Sequence, residues 1–295
     1  MRIVVAGSQG FIGSALCTAL ARDGHTVVRL VRRPSRSADE IGWDPSAGRL
    51  DARALAGADA VVDLAGVNPG SRPLTAARKR QVLASRVDTT GLLARTLATR
   101  DDTPRVLLQA SAVGAYGDRG DEPVTEQTPY GDTYFAGVVR QWEAATAPAQ
   151  EAGVRVALLR TGIVLGHGGG ALSRLLPLLR LGLGGPLGGG RQFWPWITLV
   201  DEVRAIVHLL DAPASGPVNL VTAADRNAQV VAAIARALHR PATLPVPAWA
   251  LRAVLGDFAS EVLGSVRAEP TVLAATGFRP VHGELSAAAA WLARS

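Results

Sequence analysis

The first thirteen residues join a short apolar run to a glycine turn and the start of a helix. Residues 3–5 (I-V-V) are apolar and β-branched, which predicts a strand buried on both faces of a parallel sheet. The run stops at Gly7, and a segment with helical periodicity begins at Phe11. In this context, the spacing Gly7-x-x-Gly10-x-x-Gly13 is typical of a dinucleotide-binding turn.

Each glycine of the turn has an expected role. Gly7 allows the tight turn, Gly10 lets the backbone approach a pyrophosphate, and Gly13 lets the helix pack closely on the strand. The phosphates would lie at the positive end of the helix, among its unpaired N–H groups. The predicted cofactor-binding residues of this turn are Gly7, Gly10, Phe11, Ile12 and Gly13. The alternative is a glycine-rich turn that binds no ligand.

Two arginines follow the second predicted strand, residues 26–31 (T-V-V-R-L-V). A site that prefers NAD(H) carries Asp or Glu about here to bind the ribose 2′-hydroxyl, but the first acid after this strand is Asp39. Arg32 and Arg33 stand there instead, and guanidinium groups suit a 2′-phosphate because they are always charged and donate in a planar fork. The pair predicts NADP(H); the alternative is a solvated basic turn.

Composition indicates a globular protein. At 295 residues and 48% hydrophobic residues, the chain is long enough for one large α/β domain and a smaller lobe. No apolar run reaches the roughly eighteen residues that a membrane helix needs, and the N-terminal strand leaves no room for a signal peptide. Cys17 is the only cysteine, so no intrachain disulfide is possible. We therefore expect a cytoplasmic protein with no membrane partner.

The positive charge of the chain is dispersed. The net charge is +6, but acidic residues are mixed among the arginines and no long basic run occurs. Lys79 is the only lysine. We therefore expect no nucleic-acid partner.

Apolar runs and helical segments alternate through the first half of the chain. Further buried strands are predicted at residues 60–65, 105–110 and 154–159, and helices at residues 74–99 and 132–152. This alternation predicts an α/β fold with a Rossmann-type, doubly wound parallel sheet. Because ligands of such sheets bind outside the carboxyl ends of the strands, Leu64, Ala65 and Gly66 are expected beneath the cofactor.

The sequence changes character after Thr161. Glycines cluster in residues 166–190, and residues 191–196 (R-Q-F-W-P-W) form the densest aromatic stretch. We interpret this half as a smaller substrate lobe with a mostly helical C-terminal cap. The predicted dinucleotide-binding domain comprises residues 1–165, with 199–222 returning to it; the lobe and cap comprise residues 166–198 and 223–295. Within these, residues 200–210 and 218–221 are predicted to return to the sheet, and an apolar helix is predicted near residues 172–181.

All three tyrosines, Tyr116, Tyr130 and Tyr134, fall within a short stretch of the chain. With the glycine turn and the segment S-A-V-G-A-Y-G that begins at Ser111, they resemble the extended, epimerase-like branch of the short-chain dehydrogenase/reductase superfamily. The resemblance implies that Ser111 orients the substrate and that Tyr134 exchanges a proton with it. One more residue separates Ser111 from Tyr116 than in many relatives, so Ala112 is the alternative occupant of the serine position.

The lysine of that superfamily is absent at its usual place. It stands four residues after the tyrosine, lowers the tyrosine pKa and binds the ribose, but here that position holds Val138. Arg140 would lie about 120° away from Tyr134 around the helix, and Lys79 is far upstream. A tyrosine with an ordinary pKa of about 10 is a poor base near neutrality without a cation. The sequence therefore leaves the catalytic competence of Tyr134 open.

Four longer segments resemble one sub-branch of the superfamily. They are S-A-V-G-x-Y-G-D-R-G-D-E from Ser111, L-R-T-G-I-V-L-G from Leu159, G-G-P-L-G-x-G-R-Q from Gly184, and P-V-P-A-W-A-L-R from Pro245. They are similar to the atypical short-chain dehydrogenase/reductases called epimerase family proteins, whose C-terminal part is a domain of unknown function. The resemblance covers essentially the whole chain and implies a Rossmann fold and a dinucleotide cofactor, near which Arg160 is expected.

The aromatic stretch departs from sugar-nucleotide epimerases. Those enzymes usually carry an arginine two places after the glutamine that corresponds to Gln192, whereas here Phe193 and Trp194 follow. An indole in place of a phosphate-binding fork suits an apolar or aromatic ligand. The predicted substrate-binding residues are Tyr116, Gln192, Trp194 and Trp196; the alternative is that both tryptophans pack the lobe.

These observations predict an NADP(H)-dependent oxidoreductase or epimerase that acts on a small, partly apolar carbonyl or hydroxyl compound. The alternative is a non-catalytic NADP(H)-binding sensor or regulatory module. The predicted partner is a small-molecule substrate, and the oligomeric state stays open, a homodimer being one option. His167, His208 and His239 lack metal-ligand spacing, so no metal site is predicted.

Overall fold

The computed structural model describes residues 1–99, 105–173 and 175–294. Its strands are β1 (Arg2–Ala6), β2 (Thr26–Val31), β3 (Glu40–Gly42), β4 (Ala60–Asp63), β5 (Val106–Ala112), β6 (Pro123–Val124), β7 (Arg155–Thr161), β8 (Ile163–Leu165), β9 (Phe193–Thr198), β10 (Gly216–Leu220), β11 (Ala223–Arg226) and β12 (Arg267–Ala268). Its α-helices are α1 (Phe11–Arg22), α2 (Ala76–Ala98), α3 (Tyr134–Ala144), α4 (Ala147–Glu151), α5 (Leu175–Arg180), α6 (Leu199–Asp211), α7 (Asn227–Ala237), α8 (Ala248–Leu255), α9 (Ala259–Leu263), α10 (Thr271–Ala275) and α11 (Leu285–Arg294).

In the described part of the chain, seven strands form a parallel sheet in the order β3-β2-β1-β4-β5-β7-β10. The register places Ala6, at the end of β1, between Leu30 of β2 and Asp63 of β4. The strand order reverses direction between β1 and β4, which is where ligands of open α/β sheets bind. The predicted Rossmann-type, doubly wound sheet is confirmed.

Helices cover both faces of this sheet, which explains why its strands are continuous apolar runs. Helices α1 and α6 pack on one face, where Leu20 and Ile206 belong to one buried cluster with the strands. Helices α2 and α4 pack on the other face, where Leu93 and Ala149 belong to a second cluster. The sheet is therefore held between two apolar layers, and its strand ends position the site.

A smaller lobe is built around the three-stranded sheet β11-β9-β8. Its core contains Trp196 of β9, Ile234 of α7 and Leu292 of α11. Strands β6 and β12 pair in parallel, which joins the segment after β5 to the C-terminal region. The C-terminal helices therefore pack on the second half of the chain and reach back toward the central sheet.

Two element predictions were wrong. Residues 200–210 do not return to the sheet as a strand; they form α6, whose apolar residues recur at helical spacing and pack on the sheet face. The single helix predicted over residues 132–152 is interrupted, and forms α3 and α4. The helix predicted near residues 172–181 includes Arg174, and the predicted cap ends at Ser295; both of these residues lie outside the described ones.

Candidate active site

The glycine turn between β1 and α1 is sterically restricted to glycine at two of its three positions. Gly7 has φ +77°, and a Cβ there would lie 2.6 Å from the carbonyl carbon of Leu64. A Cβ on Gly13 would lie 2.2 Å from the carbonyl oxygen of Gly7. Both contacts are with backbone atoms, which cannot move aside as a flexible side chain can. Gly7 and Gly13 therefore allow the strand, turn and helix to pack closely.

Gly10 differs from these two glycines. A Cβ on Gly10 would meet only the carbonyl oxygen of Gly7, at 3.2 Å, and Gly10 lines a groove of about 510 Å³. Gly10 is also the N-cap of α1, with no side-chain cap on the first turn, to which Phe11, Ile12 and Gly13 belong. The N–H groups at an uncapped helix start favour an anion. The turn thus fits a bound pyrophosphate.

Residues after β4 form another wall of the same groove. Leu64, Ala65 and Gly66 all line it, together with Gly7 and Gly10. The carboxylate of fully buried Asp63 holds this wall, because it accepts hydrogen bonds from the Ala65 N–H at 3.0 Å and the Thr90 hydroxyl at 3.2 Å. Burial raises the pKa of Asp63 to about 6.

The two arginines after β2 have different environments. Both terminal nitrogens of Arg33 donate hydrogen bonds to the carboxylate of buried Glu40, each at 2.8 Å. These hydrogen bonds lower the pKa of Glu40 to about 2. Arg32 is exposed, lines the groove near Trp43, and makes no hydrogen bond or ion pair with another described residue. Of the two guanidinium groups, that of Arg32 is therefore free to bind an anion.

A second cavity, of about 680 Å³, lies between the segment after β5 and the C-terminal region. One side is formed by Gly114, Gly117 and Thr133, and the other by Arg252, Asp257, Glu261 and Leu263. Lys79 and Tyr134 line it as well. Because it lies beyond the carboxyl end of β5, this cavity is at the sheet edge where substrates of α/β enzymes bind.

The only lysine of the chain meets the predicted catalytic tyrosine in this cavity. The Tyr134 hydroxyl donates to the Lys79 carbonyl oxygen at 3.1 Å, and Lys79 Nζ lies 5.0 Å from the centre of the Tyr134 ring. Lys79 Nζ also pairs with Asp257 Oδ2 at 2.5 Å. Burial raises the pKa of Tyr134, while the charges of Lys79 and Arg86 oppose that rise.

Ser111 and Arg160 belong to a buried polar cluster around Glu143. Ser111 donates to Glu143 Oε1 at 2.5 Å, and Arg160 donates to both oxygens of the same carboxylate at 3.0 Å. The Tyr130 hydroxyl is a further donor to Glu143, and burial raises the pKa of Tyr130 to about 12. Ser111 and Arg160 are 6% and 3% exposed. In this arrangement both predicted site residues bind Glu143, and neither lines the groove or the cavity.

The predicted substrate-binding residues are buried. Tyr116 is fully buried and donates its hydroxyl to Asn219 at 2.6 Å. Gln192 donates to the carbonyl oxygens of Leu187 and Val262, at 2.9 and 3.3 Å. These side chains are thus engaged with the protein itself, although Tyr116 also borders a shallow polar depression beside Tyr130.

The two tryptophans of β9 belong to the core of the lobe. Trp194 and Trp196 are 4% and 0% exposed. Their indole N–H groups donate to the Val262 carbonyl oxygen at 3.1 Å and to Asp225 at 2.7 Å. The structure corrects the substrate-contact prediction for this pair: alternation along β9 turns both indoles inward, and the packing alternative describes them.

Glu261, which no sequence pattern singles out, lines the cavity from α9. Burial raises the pKa of its carboxyl to about 7, and no hydrogen bond or ion pair joins it to another described residue. Its segment, D-F-A-S-E, matches no motif, and only the fold places it opposite Gly114. Among the described residues, no group of three or more His, Cys, Asp or Glu could hold a metal ion, and no helix is long and apolar enough to cross a bilayer.

A family model described as the NAD dependent epimerase/dehydratase family matches residues 3–223. The chain belongs to the NAD dependent epimerase/dehydratase family. A second model, a domain of unknown function named DUF1731, matches residues 246–292, which include α8 to α10 and most of α11. Both matches confirm the resemblance to epimerase family proteins with such a C-terminal domain.

Individual relatives are similar to nearly the whole of this chain. The Epimerase family protein Mb2239 of Mycobacterium bovis is 44% identical over 289 residues, which are 97% of this chain and 95% of that protein. A crystal structure of human epimerase family protein SDR39U1 (isoform 2) with NADPH has a TM-score of 0.91 and 34% identity, and the match covers 100% of this chain and 99% of that one. A nucleoside-diphosphate sugar epimerase of Corynebacterium glutamicum has a TM-score of 0.80 and 33% identity, over 99% of this chain and 58% of that one.

Proposed function

We propose that the protein is an NADP(H)-dependent oxidoreductase or epimerase that acts on a small, partly apolar carbonyl or hydroxyl compound. The observation that carries this proposal is the groove, where the uncapped start of α1 and the exposed guanidinium of Arg32 line the same space. An uncapped helix start suits a pyrophosphate, and a guanidinium suits a 2′-phosphate. The human relative with NADPH supports the same cofactor.

The chain's own residues divide the binding of this cofactor among them. Gly7, Gly10 and the first turn of α1 would hold the pyrophosphate, residues 64–66 would contact the nucleotide from the end of β4, and Arg32 would bind the 2′-phosphate. Once bound, the cofactor supplies hydride transfer. The cavity beyond β5 would hold the substrate, and Tyr134 and Glu261 are the candidates in it for exchanging a proton with the substrate.

The lining of the cavity supports the substrate class. Leu263 and Val266 provide apolar surface, whereas Lys79 and Arg252 provide charge beside it. The volume of about 680 Å³ is that of a small-molecule site. The tryptophans that suggested an aromatic ligand are in the core, so the apolar part of the substrate would instead meet these aliphatic side chains.

Cofactor binding and turnover test the proposal together. NADPH and NADH are titrated separately into the protein, and oxidation of NADPH is then followed with a panel of aliphatic and aromatic aldehydes and ketones. We expect NADPH to bind at least tenfold more tightly than NADH, since one charged hydrogen bond contributes about 1.5–3 kcal/mol. Equal affinities would reject the NADP(H) assignment, and the absence of turnover across the panel would reject the enzymatic one.

A non-catalytic NADP(H)-binding module is the second candidate. The observation that favours it is Val138, which occupies the superfamily's lysine position and is 3% exposed, so the usual cation is replaced by a buried aliphatic side chain. Tight NADPH binding without turnover of any carbonyl compound would favour this candidate over the enzyme.

A further inference from the structure

The carboxyl group of Glu261 lines the cavity beyond β5 and has no structural role among the contacts described above. It extends from α9, within the C-terminal region that the domain of unknown function covers. It lines the cavity, yet it is bound to none of the described residues. Glu261 is partly buried, and a titratable group that lies in a cleft with a raised pKa is typical of a functional site.

Its position relative to the central sheet also points to a ligand. A Cβ on Gly114, in the turn that follows β5, would lie 2.8 Å from Glu261 Oε2. The absence of a side chain at Gly114 therefore leaves room for this carboxyl beside the turn that follows the carboxyl end of β5. That end of a parallel strand is where α/β proteins place their reacting groups.

The other charged and titratable side chains of the cavity are Lys79, Asp118, Tyr134, Arg252 and Asp257. Most of them already have partners. Lys79 pairs with Asp257, and the Tyr134 hydroxyl donates to a backbone carbonyl oxygen. Asp118 accepts hydrogen bonds from the N–H groups of Gly120 and Ser265, at 3.1 and 3.2 Å. Glu261 is therefore the carboxyl group in this cavity with neither oxygen bonded to a described residue.

We propose that Glu261 exchanges the proton with the substrate oxygen in the reaction proposed above, on which this inference rests. In the reductive direction, the carbonyl carbon gains a hydride from the reduced nicotinamide, and the carbonyl oxygen gains the proton that leaves the Glu261 carboxyl. Glu261 is then a carboxylate, and water returns a proton to it before the next turnover. In the oxidative direction, the carboxylate removes the hydroxyl proton while the hydride leaves the same carbon.

The protonation equilibrium of Glu261 suits this role. Burial raises its pKa to about 7, so both forms are populated near neutrality, which is the condition for efficient acid–base catalysis. Tyr134 is less suited to proton exchange near neutrality. Burial raises its pKa above the ordinary value of a tyrosine, and its hydroxyl already donates a hydrogen bond to the Lys79 carbonyl oxygen. Reduction requires the protonated form of Glu261, so its rate should fall as the pH rises through about 7.

The decisive comparison is between Glu261→Gln and Tyr134→Phe, with Glu151→Gln as a control for loss of an exposed carboxylate at the end of α4. Each variant is assayed against a carbonyl compound that the wild type reduces, together with NADPH affinity and melting temperature. We expect Glu261→Gln to lower kcat by about a hundredfold or more and to abolish the inflection near pH 7, with unchanged NADPH affinity. Tyr134→Phe should lower kcat by less than about tenfold, and Glu261→Asp should restore part of the activity and the inflection.

A second measurement does not depend on turnover. Carbodiimide activates protonated carboxyl groups, so at pH 7 it should couple glycine amide to Glu261 in preference to Glu151, as mass spectrometry of peptides will show. Full turnover and an intact inflection in Glu261→Gln would overturn the inference and leave the proposed function standing. Failure of Glu261 to couple would overturn it independently. A wild type that binds NADPH but reduces no compound of the panel would reject the proposed function and this role with it.

Discussion

Lys79 Nζ lies 5.0 Å from the centre of the Tyr134 ring, and the hydroxyl of that tyrosine donates to the Lys79 carbonyl oxygen. The two residues are 55 positions apart and belong to α2 and α3. The position four residues after Tyr134 holds Val138 instead of a lysine, but the fold brings the only lysine of the chain, Lys79, beside the Tyr134 ring. Asp257 pairs with that lysine from the C-terminal region, so three distant segments meet at the cavity.

The first prediction follows from the charge of Lys79. Because the ammonium stabilises the phenolate of Tyr134, Lys79→Met should raise the pKa of Tyr134 further. Asp257→Asn removes the anion paired with Lys79 and should leave that pKa unchanged or lower it. NMR titration of ring-labelled tyrosine measures both variants. A pKa that moves in the same direction in both would show that the Lys79 charge does not act on Tyr134.

Much of the fold was predictable because burial on both faces of a parallel sheet leaves a direct record in the sequence. Strands β1, β2, β4, β5 and β7 all coincide with predicted apolar runs, with ends that differ by at most two residues. The secondary structure of residues 200–210 was harder to predict, because V-D-E-V-R-A-I-V-H-L-L contains short apolar pairs that also occur in buried strands. Their helical period of apolar positions, with Val203, Ile206 and Leu210 buried, identifies them as α6.

The site was only partly predictable from sequence. The glycine turn and residues 64–66 are local features whose chemistry follows from their position after a strand. Gly7, Gly10 and residues 64–66 line one groove, whereas Phe11, Ile12 and Gly13 do not line it. The pairing of Arg33 with Glu40, the meeting of Lys79 with Tyr134 and the insertion of Glu261 opposite Gly114 depend on tertiary packing. No residue spacing along the chain indicates these three contacts. For that reason the sequence alone could not distinguish Arg32 from Arg33, and both were predicted to bind the 2′-phosphate.

The second prediction separates these two arginines. Arg32→Ala should lower NADPH affinity by about tenfold or more and leave NADH affinity unchanged, because it removes a guanidinium that lines the groove. Arg33→Ala should mainly lower the melting temperature, because it leaves buried Glu40 without its bidentate partner. Titration with both cofactors and thermal unfolding distinguish the variants. A larger loss of NADPH preference in Arg33→Ala would reverse the assignment.

The third prediction uses the unequal space around the glycines. Gly10→Ala should fold, because its Cβ would meet only one backbone oxygen at 3.2 Å, but it should weaken NADPH binding by about tenfold by intruding on the pyrophosphate. Gly13→Ala should destabilise the fold itself, because its Cβ would lie 2.2 Å from the Gly7 carbonyl oxygen. Thermal unfolding without cofactor gives the stability of each variant. Gly10→Ala with wild-type NADPH affinity would place the pyrophosphate elsewhere.

The fourth prediction concerns the core of the lobe. Trp196→Ala should reduce the free energy of unfolding by about 3–5 kcal/mol, because it empties the space of a fully buried indole and leaves Asp225 without that donor. Trp194→Ala should be destabilising too, without changing KM for any substrate found. The measurements are denaturant unfolding and steady-state kinetics. A KM that rises in Trp194→Ala while stability is retained would restore the substrate-contact interpretation.

The last prediction concerns Glu202, a fully buried residue of α6 whose Oε1 accepts a hydrogen bond from Thr161 at 2.8 Å. Its Oε2 has no partner among the described residues, and burial raises the pKa of this carboxyl to about 8. The unfolded chain releases this proton near pH 4.5, whereas the folded protein retains it up to about pH 8. Between these values the folded state binds more protons, so the free energy of unfolding falls as the pH rises.

Glu202→Gln cannot ionise and should therefore remove this part of the pH dependence. The variant and the wild type should have similar stability near pH 4, and above pH 8 the variant should be more stable by an amount on the order of 4 kcal/mol. Asp63 and Glu261, with pKa values of about 6 and about 7, titrate in the same direction, so the variant should retain a smaller fall. Denaturant unfolding from pH 4 to 9 gives both curves, with Glu151→Gln as the exposed control. Parallel curves for the variant and the wild type would mean that Glu202 is ionised in the folded protein, with a cation or water satisfying its second oxygen.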